Sequence, residues 1–249
     1  MARERGTRER RKGAMQWLYG TEQPPALPRR VVLGRLGFDW YGEAIRALSW
    51  DGQELVRAVS LVVRDEDWGS YAPTVVDSKL RHGSKEWEIE HFCRIEDHLD
   101  GSALLDSRFS VRVEAQSVVV EAVLDARRRI STCRAGITVL HPLHGVVGAP
   151  VSVTHADGTV SESRFPELIS PCQPFFSIRT LRHAPADDIE LRLHFEGDVF
   201  EMEDQRNWSD ASFKTYNRPL AWPTPYVIEV GDRIEQRLTI EIIERSSGR

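Results

Sequence analysis

The sequence has little of what staples, anchors or loads a chain. Among 249 residues there are three cysteines, Cys93, Cys133 and Cys172. They are far apart, odd in number and form no Cys-x-x-Cys pair, which argues against a disulfide framework or a cysteine zinc site. Reduced thiols suit a cytoplasmic location. No apolar run approaches the length needed to span a membrane, so no membrane partner is expected. A glycine-rich phosphate loop and a Gly-x-Ser-x-Gly elbow are both missing, which argues against a nucleotide cofactor and a serine hydrolase. Charge of one sign does not dominate either. Lys plus Arg number 33 against 38 Asp plus Glu, a formal net charge of -5, and no nucleic-acid partner is expected.

What is present is alternation. Trp87–Ile95, Phe109–Glu114 and Ile189–Phe195 switch between apolar and charged residues with period two. The last run sets Ile234, Leu238, Ile240 and Ile242 against Arg233, Glu235, Arg237 and Glu241. Each is the pattern of a strand with one buried and one wet face. Asp51-Gly52, Asp157-Gly158 and Gly231-Asp232 are hairpin-type dipeptides between such runs, and Val151–His155 reads as one arm of a hairpin. Only short stretches such as Tyr41–Leu48 suit a helix. With 41% apolar residues to build a core, the expectation is an all-β fold, a large antiparallel β-sandwich. The first dozen residues carry Arg3, Arg5, Arg8, Arg10, Arg11 and Lys12. Glu4 and Glu9 and the lack of an apolar stretch argue against a targeting signal. Residues 1–28 are therefore expected to be a basic, disordered leader, and 29–249 a single sandwich domain.

Three segments carry unusual chemistry: Arg134–His144, Phe165–Arg179 and Glu201–Tyr216. The third packs carboxylates, cations, amides and aromatics into sixteen residues, a mixture that fits the wall of a polar pocket. On a strand Glu201, Glu203 and Gln205 share one face, and Met202, Asp204 and Arg206 the other. Two adjacent carboxylates facing one pocket repel, so one is expected to titrate toward neutrality and serve as a base. Arg179, Arg206 and Lys214 are candidates to hold an oxyanion or a sugar carboxylate. Trp208 and Tyr216 are candidates to stack on a sugar ring, or else pack in the core. Arg134 anchors a loop or touches substrate. His141-x-x-His144 could hold a divalent metal, but Pro142 interrupts it and no third ligand is evident, so no metal or other cofactor is assigned.

The runs Arg-Ala-Gly-Ile-x-Val-Leu-His-Pro from Arg134, Phe-Pro-x-Leu-Ile-Ser-Pro from Phe165, Gln-Pro-Phe-Phe-x-Ile-Arg from Gln173 and Gly-Asp-Val-Phe-Glu-Met-Glu-Asp-Gln-Arg-Asn-Trp from Gly197 resemble the N-terminal domain of D-apionate lactonases. The close match covers roughly residues 130–240. A more distant resemblance is to aldose 1-epimerase, the galactose mutarotase-like β-sandwich, with Glu203-Asp204-Gln205 in the place of that family's base. These resemblances imply a concave sugar-binding face and a sugar-acid lactone as substrate. They imply Glu203 as the base; from the residues themselves, Glu201 stands beside it, His141 or His144 is the candidate acid, and Gln173 and His141 the candidate orienting groups. Gln173, Arg179, Arg206, Trp208, Lys214, Tyr216 and Arg134 are then the substrate-binding candidates. The epimerase family has a histidine where this chain has Gln173, which cannot donate a titratable proton. Members of the lactonase family continue into a domain that looks like a glycosidase barrel, so a separate barrel partner or a homo-oligomer is also implied. Alternative readings are a mutarotase-type epimerase and a non-catalytic carbohydrate-binding module.

Overall fold

The computed structural model describes residues 27–245. The basic leader expected over 1–28 lies almost wholly outside them. The described chain is nearly all strand: β1 Arg29–Leu33, β2 Leu36–Tyr41, β3 Ala44–Trp50, β4 Gln53–Arg64, β5 Ser70–Tyr71, β6 Thr74–His82, β7 Trp87–Glu96, β8 Ala103–Glu114, β9 Ser117–Ala126 and β10 Ile130–Thr132. Then follow β11 Arg134–Pro142, β12 Pro150–His155, β13 Val160–Arg164, β14 Ile178–Ala186, β15 Ile189–Glu196, β16 Phe200–Asp204, β17 Ser212–Asn217, β18 Tyr226–Ile228 and β19 Arg233–Glu244. The one helical element among the described residues is a 3-10 turn, Gln205–Trp208. No helix among the described residues is long and apolar enough to cross a membrane.

Pairing is antiparallel throughout. One layer runs β1-β2-β3-β4-β11-β17-β16. The other runs β13-β12-β14-β15-β19-β9-β8-β7-β6. They join where Ile178 on β14 meets Phe200 on β16. The inner faces close on one apolar core. Phe38 on β2 meets Trp87 on β7 with ring centroids 5.0 Å apart, and Phe200 on β16 meets Phe195 on β15 at 4.8 Å.

Each alternating run in the sequence is a strand of the second layer. Its apolar members point inward, and its charged members form ladders on the outer face. Arg94–Asp106, Arg108–Glu90, Arg237–Glu121 and Arg192–Glu241 are examples. Such exposed pairs each stabilise by about 0–1 kcal/mol, so the core rather than the ladder holds the layers together. The helix expected near Tyr41–Leu48 is instead the β2–β3 hairpin. Gly42 turns it with φ of +59°, which glycine adopts at little cost, and Ile45 and Leu48 are buried strand residues.

Gly136 on β11 leaves room for side chains from β17 of its own layer and from β19 of the second. A Cβ there would sit 2.3 Å from both Asn217 Oδ1 and Gln236 Oε1. Those buried amides satisfy the flanking backbone: Asn217 Nδ2 donates to Ala135 O at 3.0 Å, and Gln236 Oε1 accepts from Ile137 N at 2.7 Å. Gly136→Ala is therefore expected to destabilise by about 1–3 kcal/mol, as overpacking does. A urea midpoint unchanged from the parent would contradict this.

Candidate functional site

The site follows from strand parity. In an antiparallel pair, directly opposed residues project to the same side, and alternate residues along a strand do too. Glu203 faces Lys214 and Glu201 faces Tyr216 across β16–β17. Tyr216 faces Thr138 on β11, and Arg134, four residues earlier on β11 and so on the same side, faces Arg64 on β4. These side chains lie on the outer face of the first layer. Loops raise walls around them, and the result is a cavity of about 430 Å³. It is lined by Arg64, Trp68, Arg134, Glu203, Gln205, Trp208, Lys214 and Leu220.

An ion pair sits at its floor. Lys214 Nζ lies 2.7 Å from Glu203 Oε2, and the indole N–H of Trp208 donates to Glu203 Oε1 at 2.8 Å. The Trp208 ring is otherwise 72% exposed, so it stands as a free wall whose edge is tied to the carboxylate. Arg134 is only 5% exposed, and its guanidinium lies 3.8 Å from the Tyr216 ring centroid and 5.3 Å from that of Trp68. These cation–π contacts hold the guanidinium against the floor.

Burial alone would push Glu203 up, but Lys214, the Trp208 N–H and Arg134 hold it below the usual carboxylate range. Lys214 is also held low, first by burial and then by Arg134 and Arg64, against the opposing pull of Glu203. The Glu203 shift reports the positive charge around it, whereas Lys214 is lowered first by burial and only then by its cationic neighbours. The expectation that mutual repulsion raises one carboxylate toward neutrality is thus corrected for Glu203. Three cations surround it, and it stays ionised.

Glu201 is 1% exposed, and its Oε1 accepts from Tyr216 OH at 2.6 Å and from Leu220 N at 2.8 Å. It does not line the cavity. It fixes the tyrosine under Arg134 and the loop that carries Leu220, so the catalytic role expected of it is corrected to an anchoring one. Tyr216 is fully buried, its hydroxyl pushed up by burial and by the Glu201 bond. It carries cations on its face and does not present that face to a sugar.

Arg206 is also corrected. Its Nε and Nη2 donate to Asp204 Oδ1 and Oδ2 at 2.9 and 2.7 Å. Its remaining donors reach Glu167 O at 2.9 Å, Pro166 O at 3.0 Å and Leu168 O at 3.1 Å. The guanidinium clamps the loop after Phe165 and does not line the cavity. Gln173 is half-buried in the following loop and Arg179 is exposed on β14. Neither lines the cavity.

His141 is fully buried on the inner face of β11, where its Nε2 pairs with Thr215 Oγ1 at 2.8 Å. Burial, helped by nearby His183, pushes it down to about 3. A neutral, enclosed imidazole cannot serve as the general acid, which corrects that expectation. His144 is exposed, so the His141–His144 pair does not converge, and no group of three or more metal-ligating side chains is placed to hold an ion among the described residues.

Buried His141 and His183 carry a stability prediction. His183 is pushed down to about 4 by burial, whereas an unfolded histidine titrates near 6.5. Between the folded and unfolded values the unfolded chain binds protons that the folded chain refuses, so stability is lost as pH falls through that window. Each histidine contributes about 1.4 kcal/mol per pH unit there. Urea midpoints should drop steadily from about pH 6.5 toward about pH 4.5, with a shallower slope in His141→Gln. A flat profile over that range would contradict the assignment.

The comparisons bear on this geometry. Residues 16–245 match the D-apionate lactonase N-terminal domain. The chain belongs to that family. A D-apionate lactonase from Brucella anthropi is 40% identical over 228 residues, which are 90% of this chain and 37% of that protein. The chain thus spans little more than a third of its relative's length. Among solved structures, a galactose mutarotase-like protein from Lactobacillus casei superposes with a TM-score of 0.52 at 9% identity, covering 87% of this chain and 100% of that one. The GH36 α-galactosidase AgaA from Geobacillus stearothermophilus gives 0.54 at 9% identity, covering 88% of this chain and 41% of that one. At such identities these likenesses concern the fold alone, which is galactose mutarotase-like.

Arg64 and Trp68 did not stand out in the sequence. They lie some seventy residues before Arg134, in an Arg-Asp-Glu-Asp-Trp turn that reads as solvated charge. Only the β4–β11 register brings them in.

Proposed function

We propose that the chain acts on a sugar-acid lactone of the D-apionolactone type in the Glu203–Lys214 cavity, opening it by hydrolysis. The observation that carries the reading is the ionised Glu203 set beside Lys214 in a positive, aromatic-walled cavity of sugar size, in a chain of this family. Glu203 takes a proton from a water molecule, and the water oxygen adds to the lactone carbonyl carbon. Lys214 stabilises the negative charge that forms on the carbonyl oxygen. The tetrahedral intermediate collapses with cleavage of the ring C–O bond, and the leaving alkoxide recovers the proton from Glu203. The product is a hydroxy acid, which releases its own proton to solvent at neutral pH. Trp208 and Trp68 offer apolar faces to the sugar ring, and Gln205 offers an amide to its hydroxyls.

Proton NMR of the chain with D-apionolactone, a panel of aldonolactones and a panel of aldoses tests this. Appearance of ring-opened acid above the buffer rate is the expected result. Anomer exchange without ring opening would move the assignment to an epimerase. Ligand broadening with neither reaction would leave a binding module, with hydrolysis carried by other parts of such proteins.

A further inference from the structure

Arg134 is a buried cation with no anion of its own. It is 5% exposed and makes no salt bridge among the described residues, and its Nε is buried without a protein acceptor. The nearest carboxylates are already engaged: Glu203 accepts from Lys214 and Trp208, and Glu201 from Tyr216 and Leu220. Among the described residues, the Arg64 side chain beside it bonds only the Trp68 carbonyl and the Ser70 hydroxyl. Gln205 also lines the cavity, and its Nε2 is buried without an acceptor among the described residues. The cavity thus gathers Arg64, Arg134 and Lys214 against Glu203 alone, an excess of two positive charges. Burying unpaired charge and unspent donors is costly, so such an arrangement persists where a ligand supplies what is missing. A neutral lactone supplies no charge. A planar carboxylate matches the edge of a guanidinium and can accept two parallel N–H bonds in its plane.

We propose that Arg134 is a carboxylate receptor and that the cavity's preferred ligand is an open-chain polyhydroxylated carboxylate, the ring-opened form of its lactone. This rests on the reading of the same cavity as a lactone site and adds to it a ligand class and a consequence, retention of the product acid. The polyol chain lies along Trp208 and Trp68, and Gln205 binds a hydroxyl.

The test compares ligands of equal size that differ in charge. Sodium D-gluconate and D-glucitol are titrated into the full chain by ligand-observed proton NMR, with inorganic phosphate as competitor. Gluconate is expected to bind at least about tenfold more tightly than glucitol, the scale of one charge-assisted pair. That gap should close in Arg134→Gln and shrink at high salt in the parent. Equal binding of gluconate and glucitol would overturn the proposal. So would a gap that Arg134→Gln leaves intact, or phosphate competing as well as gluconate binds, which marks a generic anion site. If Arg134→Gln fails to fold, the salt dependence of the parent decides: a gap insensitive to salt overturns the proposal. The two readings fail separately. Gluconate preference without lactone opening removes the hydrolase and keeps the receptor, and lactone opening without gluconate preference does the reverse.

Discussion

Glu203→Gln is expected to lower lactone opening by about 10²–10⁴-fold, the usual contribution of a positioned general base, while leaving the fold intact. The amide preserves the shape of the side chain and can still accept the Trp208 indole N–H, but it takes no proton from water. The substitution also removes the anion that faces Lys214 at 2.7 Å. With Arg134 and Arg64 still nearby, the ammonium is held lower still, so residual activity should not recover at higher pH. Steady-state rates with circular dichroism of both proteins check this. A variant with parental rates would show that Glu203 serves only to neutralise Lys214.

The second large effect is on stability. Asp204→Ala is expected to cost about 3–5 kcal/mol, because it strands a guanidinium built around that carboxylate. Asp204 is fully buried. It accepts from two Arg206 nitrogens, from the Arg206 backbone N–H at 3.1 Å and from the Ser170 backbone N–H at 2.9 Å. Burial pushes its carboxyl up, but these donors together hold it below the ordinary range. Asp204 also caps the 3-10 turn that carries Gln205 and Trp208, so losing it loosens one wall of the cavity. Urea denaturation should show the loss, and limited proteolysis should cut near Pro166–Ser170 in the variant first. A loss below about 1 kcal/mol would mean that the three loop carbonyls alone hold Arg206.

Several of these features were legible in the sequence. Strands β7, β8, β15 and β19 of the second layer were plain because each has one buried and one charged face, which imposes period two. The β11 strand was harder. Arg134–Pro142 is buried on nearly every residue, so its alternation is masked. The grouping of Glu203, Trp208 and Lys214 was readable because all three lie in one hairpin and its connecting turn. Parity also contained two corrections that the residue types obscured. Arg206 shares the face of Asp204, not that of Glu203, and the structure finds it bonded to Asp204. His141 is an odd number of residues from Arg134 on one strand, so the two cannot face the same cavity. Arg64 and Trp68 were beyond reach, since a long-range register is not written in local pattern.

The most direct measurement is a pair of proton NMR progress curves for D-apionolactone, one with the parent chain and one with Glu203→Gln. Ring opening faster than buffer in the first and at the buffer rate in the second is the result expected if the Glu203–Lys214 cavity is a hydrolytic site. Equal curves for the two proteins, whether both fast or both at the buffer rate, would contradict it.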